Sequence, residues 1–484
     1  MVLLPLIILA AGVVLIMLLI ALRRAHTLSF LASILVLVGA AGSLFLISDY
    51  IPQVIAPLVV VDAYAIFYIG LILASSLAVV LLSYDYLRQL EGEQEEYYLL
   101  LLLAALGSSV LVISQHFITL FLGLEILSVS LYILISYLYR REQCIEAGVK
   151  YLILAAASSA FLLFGMALIY NATGTMEFGL IPRRLSMPRS GLVLVFSGLV
   201  LMLVGIGFKL AVVPFHMWTA DVYQGAPAPV TAFIATISKG GMFALVLRFF
   251  ITFDIYRYDT LLLIFSVIAI ASMFTGNLLA LQQQNVKRLL AYSSIAHLGY
   301  LLVSFMAGRK LAIPAATFYL LAYFVTTIAA FGIITVLSTR EREAVDIKDY
   351  SGLYWRHPWL AAIFTTALFS LSGIPLTAGF VGKFYVLIAG VNSSLWLLVL
   401  ILVINSAIGL YYYLRIVVAM FTPAGPEEKS VEVISPGFSL TGGIVLAVMM
   451  LLLIGIGVYP FQLFELLQSI GSSFNNSVNI PLIP

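Results

Sequence analysis

An all-α polytopic membrane protein of about fourteen spanning helices is predicted by three observations. Of 484 residues, 63% are hydrophobic and only 10% are charged, against roughly 25% charged in a soluble domain. The apolar residues fall in runs of about 20, the length needed to cross a bilayer. Two of those runs carry proline in the middle, where a helix must break or kink. The mean hydropathy of +1.13 agrees with this class. The net charge of +2 is a small difference between 24 basic and 22 acidic residues and points to no nucleic-acid partner. The single cysteine, Cys144, excludes an internal disulfide, a four-cysteine cluster and a cysteine zinc site.

The runs lie near 2–22, 27–48, 63–86, 96–113, 116–138, 145–171, 191–219, 228–251, 259–282, 286–306, 311–338, 358–391, 395–421 and 438–459. They are called spans 1 to 14 below. Span 1 has no basic residue before it and Arg23 and Arg24 after it, so it reads as a retained span and not as a cleaved signal. An even number of spans places both termini on one side. With the termini outside, inside loops hold Arg23, Arg24, Arg88, Arg140, Arg141, Lys287, Arg288, Arg340, Arg342, Lys348, Arg356 and Lys429. Outside loops hold Arg183, Arg184, Arg189, Arg257, Arg309 and Lys310, with Arg248 near that edge. Twelve against seven favours this orientation. The dissenting arginines share the segment 171–190, which reads as a short hairpin or a polar contact for a neighbour. Neither charged inside loop, 339–357 or 422–437, has room for a soluble catalytic domain.

The broken spans are 7, with Pro214, and 12, with Pro375. Lys209 lies five residues before the first proline and Lys383 eight after the second. An offset of five spans gives opposite orientation in the membrane, the signature of inverted repeats with functional sites at the breaks. The repeats read as spans 4–8 and 9–13. This divides the chain into an N-terminal three-helix segment (1–95), a first repeat (96–251), a second repeat (252–421) and a C-terminal helix and tail (422–484).

Charges inside spans point to function, because each costs on the order of 2.5–3.5 kcal/mol at the bilayer centre. The candidates are Glu125, Lys150, Lys209, Lys239 and Lys383. Lysine is apt for proton hand-off because burial lets it lose its proton, which arginine does not do. A static ion pair competes with a titrating role at Glu125, and a purely structural role competes at Lys209 and Lys239. Lys150, about five residues into span 6, is close enough to the inside edge to snorkel. His216 and His297 are suited to relay protons, and equally to be satisfied core residues. Tyr292, Ser293, Ser294 and Tyr300 surround His297 in sequence. Lys287 and Arg288 open span 10, where positive-inside anchoring is the default reading. Arg415 snorkels or pairs. Gly205-Ile206-Gly207 lacks the rest of a dinucleotide fingerprint, and Gly382-Lys383 lacks the phosphate-loop pattern, with Phe384 at the hydroxyl position. No motif for nucleotide, flavin, haem or an iron–sulfur cluster appears.

Four stretches carry a resemblance. They are Gly123-Leu124-Glu125, the run KLAVVPFHMWTADVYQGAPAPV from Lys209 to Val230, VKRLLAYSSIAHLGY from Val286 to Tyr300, and SGIPLTAGFVGKFY from Ser372 to Tyr385. Together they resemble the antiporter-like membrane subunits of respiratory complex I over nearly the whole chain. The segment Asp221–Pro229, the run GLYYYLR at Gly409–Arg415, Lys383 in place of a glutamate, and the lack of a long C-terminal extension are most similar to the N-type (chain 2) subunits.

The resemblance implies fourteen helices, inverted five-helix repeats and broken helices 7 and 12. It implies that Glu125 pairs with Lys209, that Lys239 connects onward, and that Lys383 serves the second half. Lys150, Lys287 and His297 match further polar positions of the hydrophilic axis, which makes them, with His216, further proton-relay candidates. It implies a proton-translocating, non-redox subunit of NADH–quinone oxidoreductase in a bacterial cytoplasmic (inner) membrane, with both termini periplasmic. NADH, FMN, iron–sulfur clusters and quinone would belong to other subunits. The implied neighbours are an M-type antiporter-like subunit, small K- and J-type subunits, the lateral helix of an L-type subunit, and lipid. The competing readings are an Mrp-type cation/proton antiporter subunit and a structural spacer with static ion pairs.

Overall fold

The computed structural model describes all residues except 91, 93, 186–190, 340–341, 424–439 and 479–484. Arg189, Arg340 and Lys429, counted in the charge balance, and most of the loop 422–437 lie outside the described residues. Thirteen helices among the described residues are long and apolar enough to cross a membrane. Span 12 is instead two shorter apolar helices, Pro358–Ser372 and Ala378–Asn392.

Burial ranks the spans. Span 8 (Ala228–Phe253) is wholly inside, and spans 10 and 11 are 94% and 89% buried. Span 1, at 22%, and span 14, at 28%, are peripheral and present apolar side chains outward. Small residues bring site-bearing helices together. A Cβ on Gly107 of span 4 would sit 2.8 Å from the Gly123 carbonyl, two residues before Glu125. A Cβ on Gly165 of span 6 would sit 2.5 Å from the Gly198 carbonyl of span 7. Such contacts let helix backbones approach directly, the usual device inside membranes.

Both broken helices occur where proline predicts them. The first half of span 7, Leu192–Leu210, ends with Ala211 in the left-handed region at φ 60°. The run 191–219 is interrupted as its proline predicts, and a second half follows at Trp218–Gly225. Freed backbone groups find partners, as the membrane interior requires. The Trp218 indole donates to the Phe208 carbonyl at 3.0 Å. The Val213 amide donates to Ser272 Oγ of span 9 at 3.0 Å. Span 12 stops at Gly373, φ 83°, and restarts at Ala378.

Several elements were not foreseen. A two-stranded hairpin, β1 (Gln53–Ile55) with β2 (Val59–Val61), joins spans 2 and 3. Residues 181–185 form a short helix in the segment read as a hairpin. After span 14 comes an eighteen-residue helix, Phe461–Val478, in the part read as tail. Residues 234–238 of span 8 form a single π turn directly before Lys239. Such turns insert one residue into the helix and occur often at functional sites.

Candidate proton-relay site

Three lysines sit in the interior without a carboxylate in contact. Lys209, Lys239 and Lys383 are 3%, 0% and 6% exposed. Among the described residues, none of the three lies within 4.0 Å of an acidic oxygen. Each instead meets hydroxyls, carbonyls and aromatic faces.

Lys209 Nζ donates to Ser128 Oγ at 2.8 Å and to the Tyr151 hydroxyl at 2.9 Å. Glu125 stands on the same helix as Ser128, one turn earlier, and faces span 6. Its carboxylate accepts from Ser159 Oγ at 2.9 Å. The pair implied by the resemblance is therefore open here, with a serine hydroxyl taking the ammonium. Ser128 lies three residues after Glu125, a spacing that puts both on one helical face; that is the signal that marks it in the sequence.

Lys239 Nζ donates to Ser294 Oγ at 2.5 Å and lies 5.4 Å from the Tyr223 ring. Ser294 also accepts from the Tyr323 hydroxyl at 2.9 Å. One turn along span 10, His297 Nδ1 meets the Tyr319 hydroxyl at 2.7 Å and Nε2 meets Tyr413 at 3.2 Å. Ser293 bonds the same Tyr413 hydroxyl. Of the residues flanking His297 in sequence, Ser294 thus serves Lys239, Ser293 serves Tyr413, and the Tyr300 ring lies 5.4 Å from Lys383 Nζ.

Lys383 caps a helix. Its ammonium donates to the carbonyls of Leu371 and Ser372 and to Ser406 Oγ, all at 2.9 Å. Those carbonyls end the first half of span 12, where unpaired oxygens and the helix dipole favour a cation. A cleft of about 390 Å³, lined by Pro375, Phe380, Phe384 and Ser406 among others, opens beside it.

Among the described residues, no continuous side-chain hydrogen-bond chain runs between Lys209 and Lys239. Rings fill the gap, with Tyr151 4.9 Å from Trp218 and Trp218 6.4 Å from Tyr223. His216 lies in the turn just before the half-helix Trp218–Gly225, and Thr219 and Tyr223 lie one turn apart on it. Their Nδ1, Oγ1 and hydroxyl atoms are buried with no hydrogen-bond partner among the described residues.

Several further charges sit at the predicted inside edge. Lys150 pairs with Glu146 at 2.6 Å and Asp221 at 2.9 Å, and its side chain is 43% exposed. Asp221 also receives Arg288 at 2.7 Å. A polar pocket of about 180 Å³ lies against Lys150 and Asp221. Lys287 departs from the anchoring read from its position: it is fully buried and paired with Glu343 at 2.6 Å. Burial pulls the Glu343 carboxyl upward. The Lys287 ammonium, with donors from Lys287, Tyr86 and the Ala228 amide, outweighs this and holds it below the usual carboxylate range. Arg248 is likewise no surface anchor. It forms a buried bidentate pair with Asp62, both bonds at 2.9 Å. Arg415 donates to the Leu281 carbonyl at 3.1 Å and to that of Gln283, capping the end of span 9. Among the described residues no cluster of acidic, histidine or cysteine side chains has metal-ligand geometry.

Residues 114–409 match the family model described as "NADH:quinone oxidoreductase/Mrp antiporter, TM". The chain is 46% identical over 468 residues to the NADH-quinone oxidoreductase subunit N of Methylococcus capsulatus, covering 96% of this chain and 93% of that one. It is 46% identical over 474 residues to the protein of the same name from Ectopseudomonas mendocina, covering 96% and 95%. Among solved structures it is similar to a chain of respiratory complex I from Thermus thermophilus, with TM-score 0.81, 34% identity and coverage of 95% and 98%. A chain of the Mrp complex from Dietzia sp. shares the fold, with TM-score 0.84 at 20% identity over 98% of both chains. The chain belongs to the NADH:quinone oxidoreductase/Mrp antiporter membrane family and, within it, to the NADH-quinone oxidoreductase subunit N family.

Proposed function

We propose that the chain carries protons through the membrane arm of NADH–quinone oxidoreductase by a relay of Glu125, Lys209, Lys239 and Lys383. The observation that carries this reading is the contrast between two kinds of buried charge. Arg248 and Lys287 each hold a carboxylate in direct contact. The three central lysines do not; they rest on neutral groups. A static scaffold would pair its buried charges, because an unpaired charge in a low-dielectric interior costs several kcal/mol. Neutral acceptors leave the amine free to hold a proton or to pass it on.

The step is electrostatic. Approach of the Glu125 carboxylate to Lys209 favours the ammonium, and its withdrawal favours release. The proton then crosses the aromatic gap to Lys239, with His216 Nδ1, Thr219 Oγ1 and the Tyr223 hydroxyl as the polar atoms along the way. From Lys239 it moves by Ser294 and His297 toward Lys383. Lys150, beside Asp221 at the edge, supplies exchange with the inside surface. The spans 4–8 and 9–13 form the two halves of this route. Redox chemistry on NADH, FMN, iron–sulfur clusters and quinone belongs to other subunits. The chain sits in the bacterial inner membrane with its termini periplasmic, beside an M-type neighbour, K- and J-type subunits and the lateral helix of an L-type subunit.

The test is Lys209→Ala in the intact complex, reading NADH-driven proton pumping in membrane vesicles. Pumping should fall steeply, and Lys239→Arg should also impair it because arginine keeps its proton. Full pumping in Lys209→Ala with normal quinone reduction would sink the relay.

A further inference from the structure

One buried ion pair joins five segments at a single point. Lys287, at the start of span 10, donates to Glu343 Oε2 at 2.6 Å and to the Ala226 carbonyl at 2.5 Å. Glu343, from the loop after span 11, accepts the Ala228 amide at 3.0 Å and the Tyr86 hydroxyl of span 3 at 2.5 Å, both on Oε1. The two partners therefore grip the chain on either side of Pro227. That proline separates the second half of span 7 from span 8.

The polarity of the grip matches what it holds. Ala226 follows the C-terminal end of the helix Trp218–Gly225, where a carbonyl and the dipole favour a cation. Ala228 opens span 8, where a free amide and the dipole favour an anion. The ammonium and the carboxylate fill these places and neutralise each other. The loop that carries Glu343 is fixed to span 10 by backbone bonds, from the Val286 amide to the Val345 carbonyl at 2.6 Å and from the Ile347 amide to the Gln284 carbonyl at 3.0 Å.

The same face of span 10 touches Lys239. Ser294 lies two helical turns beyond Lys287 and bonds Lys239 Nζ at 2.5 Å. Span 10 thus holds span 8 at two points, at the edge through the ion pair and at depth through Ser294. Between those points lies the π turn Ile234–Ser238, whose extra residue alters the direction of Lys239. Loss of the edge contact would let span 8 shift or rotate relative to Ser294.

We propose that Glu343 and Lys287 form a fixed clamp across Ala226-Pro227-Ala228 that sets the position of Lys239, and that Lys287 is a positioning residue, not a step in the proton path. This rests on the reading of Lys239 as a proton carrier. Lys287 differs from the central lysines in having a carboxylate at 2.6 Å, and its ammonium is taken up by that oxygen and the Ala226 carbonyl.

The experiment uses the intact complex in inner-membrane vesicles, with pumping and quinone reduction normalised to assembled complex. Glu343→Gln keeps the acceptor for Ala228 but sets an amide against the ammonium. Lys287→Met removes the donor. Each should lower pumping by about tenfold or more, as expected when a reacting group moves by an ångström, and the double variant should be no worse than the poorer single one. Lys287→Arg should restore most of the pumping lost in Lys287→Met, since guanidinium can donate to both acceptors and never releases a proton. A Lys287→Arg complex that pumps as poorly as Lys287→Met, or fails to assemble, overturns the assignment. Wild-type pumping in both Glu343→Gln and Lys287→Met overturns the clamp alone. Normal pumping in Lys239→Ala overturns the relay reading first, and with it the clamp's purpose.

Discussion

A charge inside this molecule is informative according to what it touches. Asp62 and Arg248 show the structural case. The carboxylate caps span 3 through the Ala65 amide at 2.8 Å and holds both guanidinium nitrogens. Arg248 Nε adds the Val112 carbonyl at 2.9 Å, and the Phe474 ring lies 5.2 Å away. Every polar atom has a partner, so this site holds spans 3, 4 and 8 together and has nothing to pass on. Replacing Arg248 by Met would leave a buried carboxylate unpaired, at a cost of about 3–5 kcal/mol. The expected result is a lower thermal unfolding midpoint of the purified complex, with little change in turnover per surviving molecule. A turnover loss without a stability loss would refute that structural role. The sequence could not separate Arg248 from a loop anchor. Asp62, 186 positions away, gives no sign of pairing with it.

At the scale of elements, the broken helices turn backbone groups into ligands. In span 12 the last carbonyls of Pro358–Ser372 are held by a lysine from the next half, so break and charge form one unit. The two halves touch closely: a Cβ on Gly379 would lie 1.9 Å from the Ser370 carbonyl. Since that neighbour is backbone, Gly379→Ala must push the halves apart. It should destabilise by about 1–3 kcal/mol, as overpacking does, and reduce proton pumping more than quinone reduction. Equal pumping in Gly379→Ala and the parent would show that Lys383 tolerates displacement. The prolines, the lysines and the need to satisfy freed carbonyls were all legible in the sequence. Which carbonyl each lysine meets was not, because a left-handed residue such as Ala211 carries no distinctive local signature.

At the scale of the whole molecule, peripheral spans shield a polar middle. Span 8 has no residue in its window facing outward, while spans 1, 6, 13 and 14 take the apolar surroundings. The polar groups of the middle are mainly hydroxyls and lysines, with His297, Asn277 and Asn405, and Glu125 is the acidic member of the proposed route. Sodium prefers several hard oxygen ligands, with carboxylates among them. The lysine ammoniums would repel such a cation. Pumping in vesicles should therefore proceed at the same rate with sodium replaced by potassium. A requirement for sodium would favour cation exchange over the proton relay.

The sequence by itself determined the class of molecule, the two breaks and the lysines beside them. Apolar run length, proline and the cost of buried charge act locally, and each is readable from neighbouring residues. The tertiary structure alone decided which charges are paired and which stand on neutral groups. It turned Lys287 from an edge anchor into half of a buried pair with Glu343, a residue of the charged loop 339–357. It put Ser128, Tyr151 and Ser294 at the lysines in place of a carboxylate. Those outcomes depend on contacts between helices far apart in the chain, set by glycine crossings and by which face each helix turns inward.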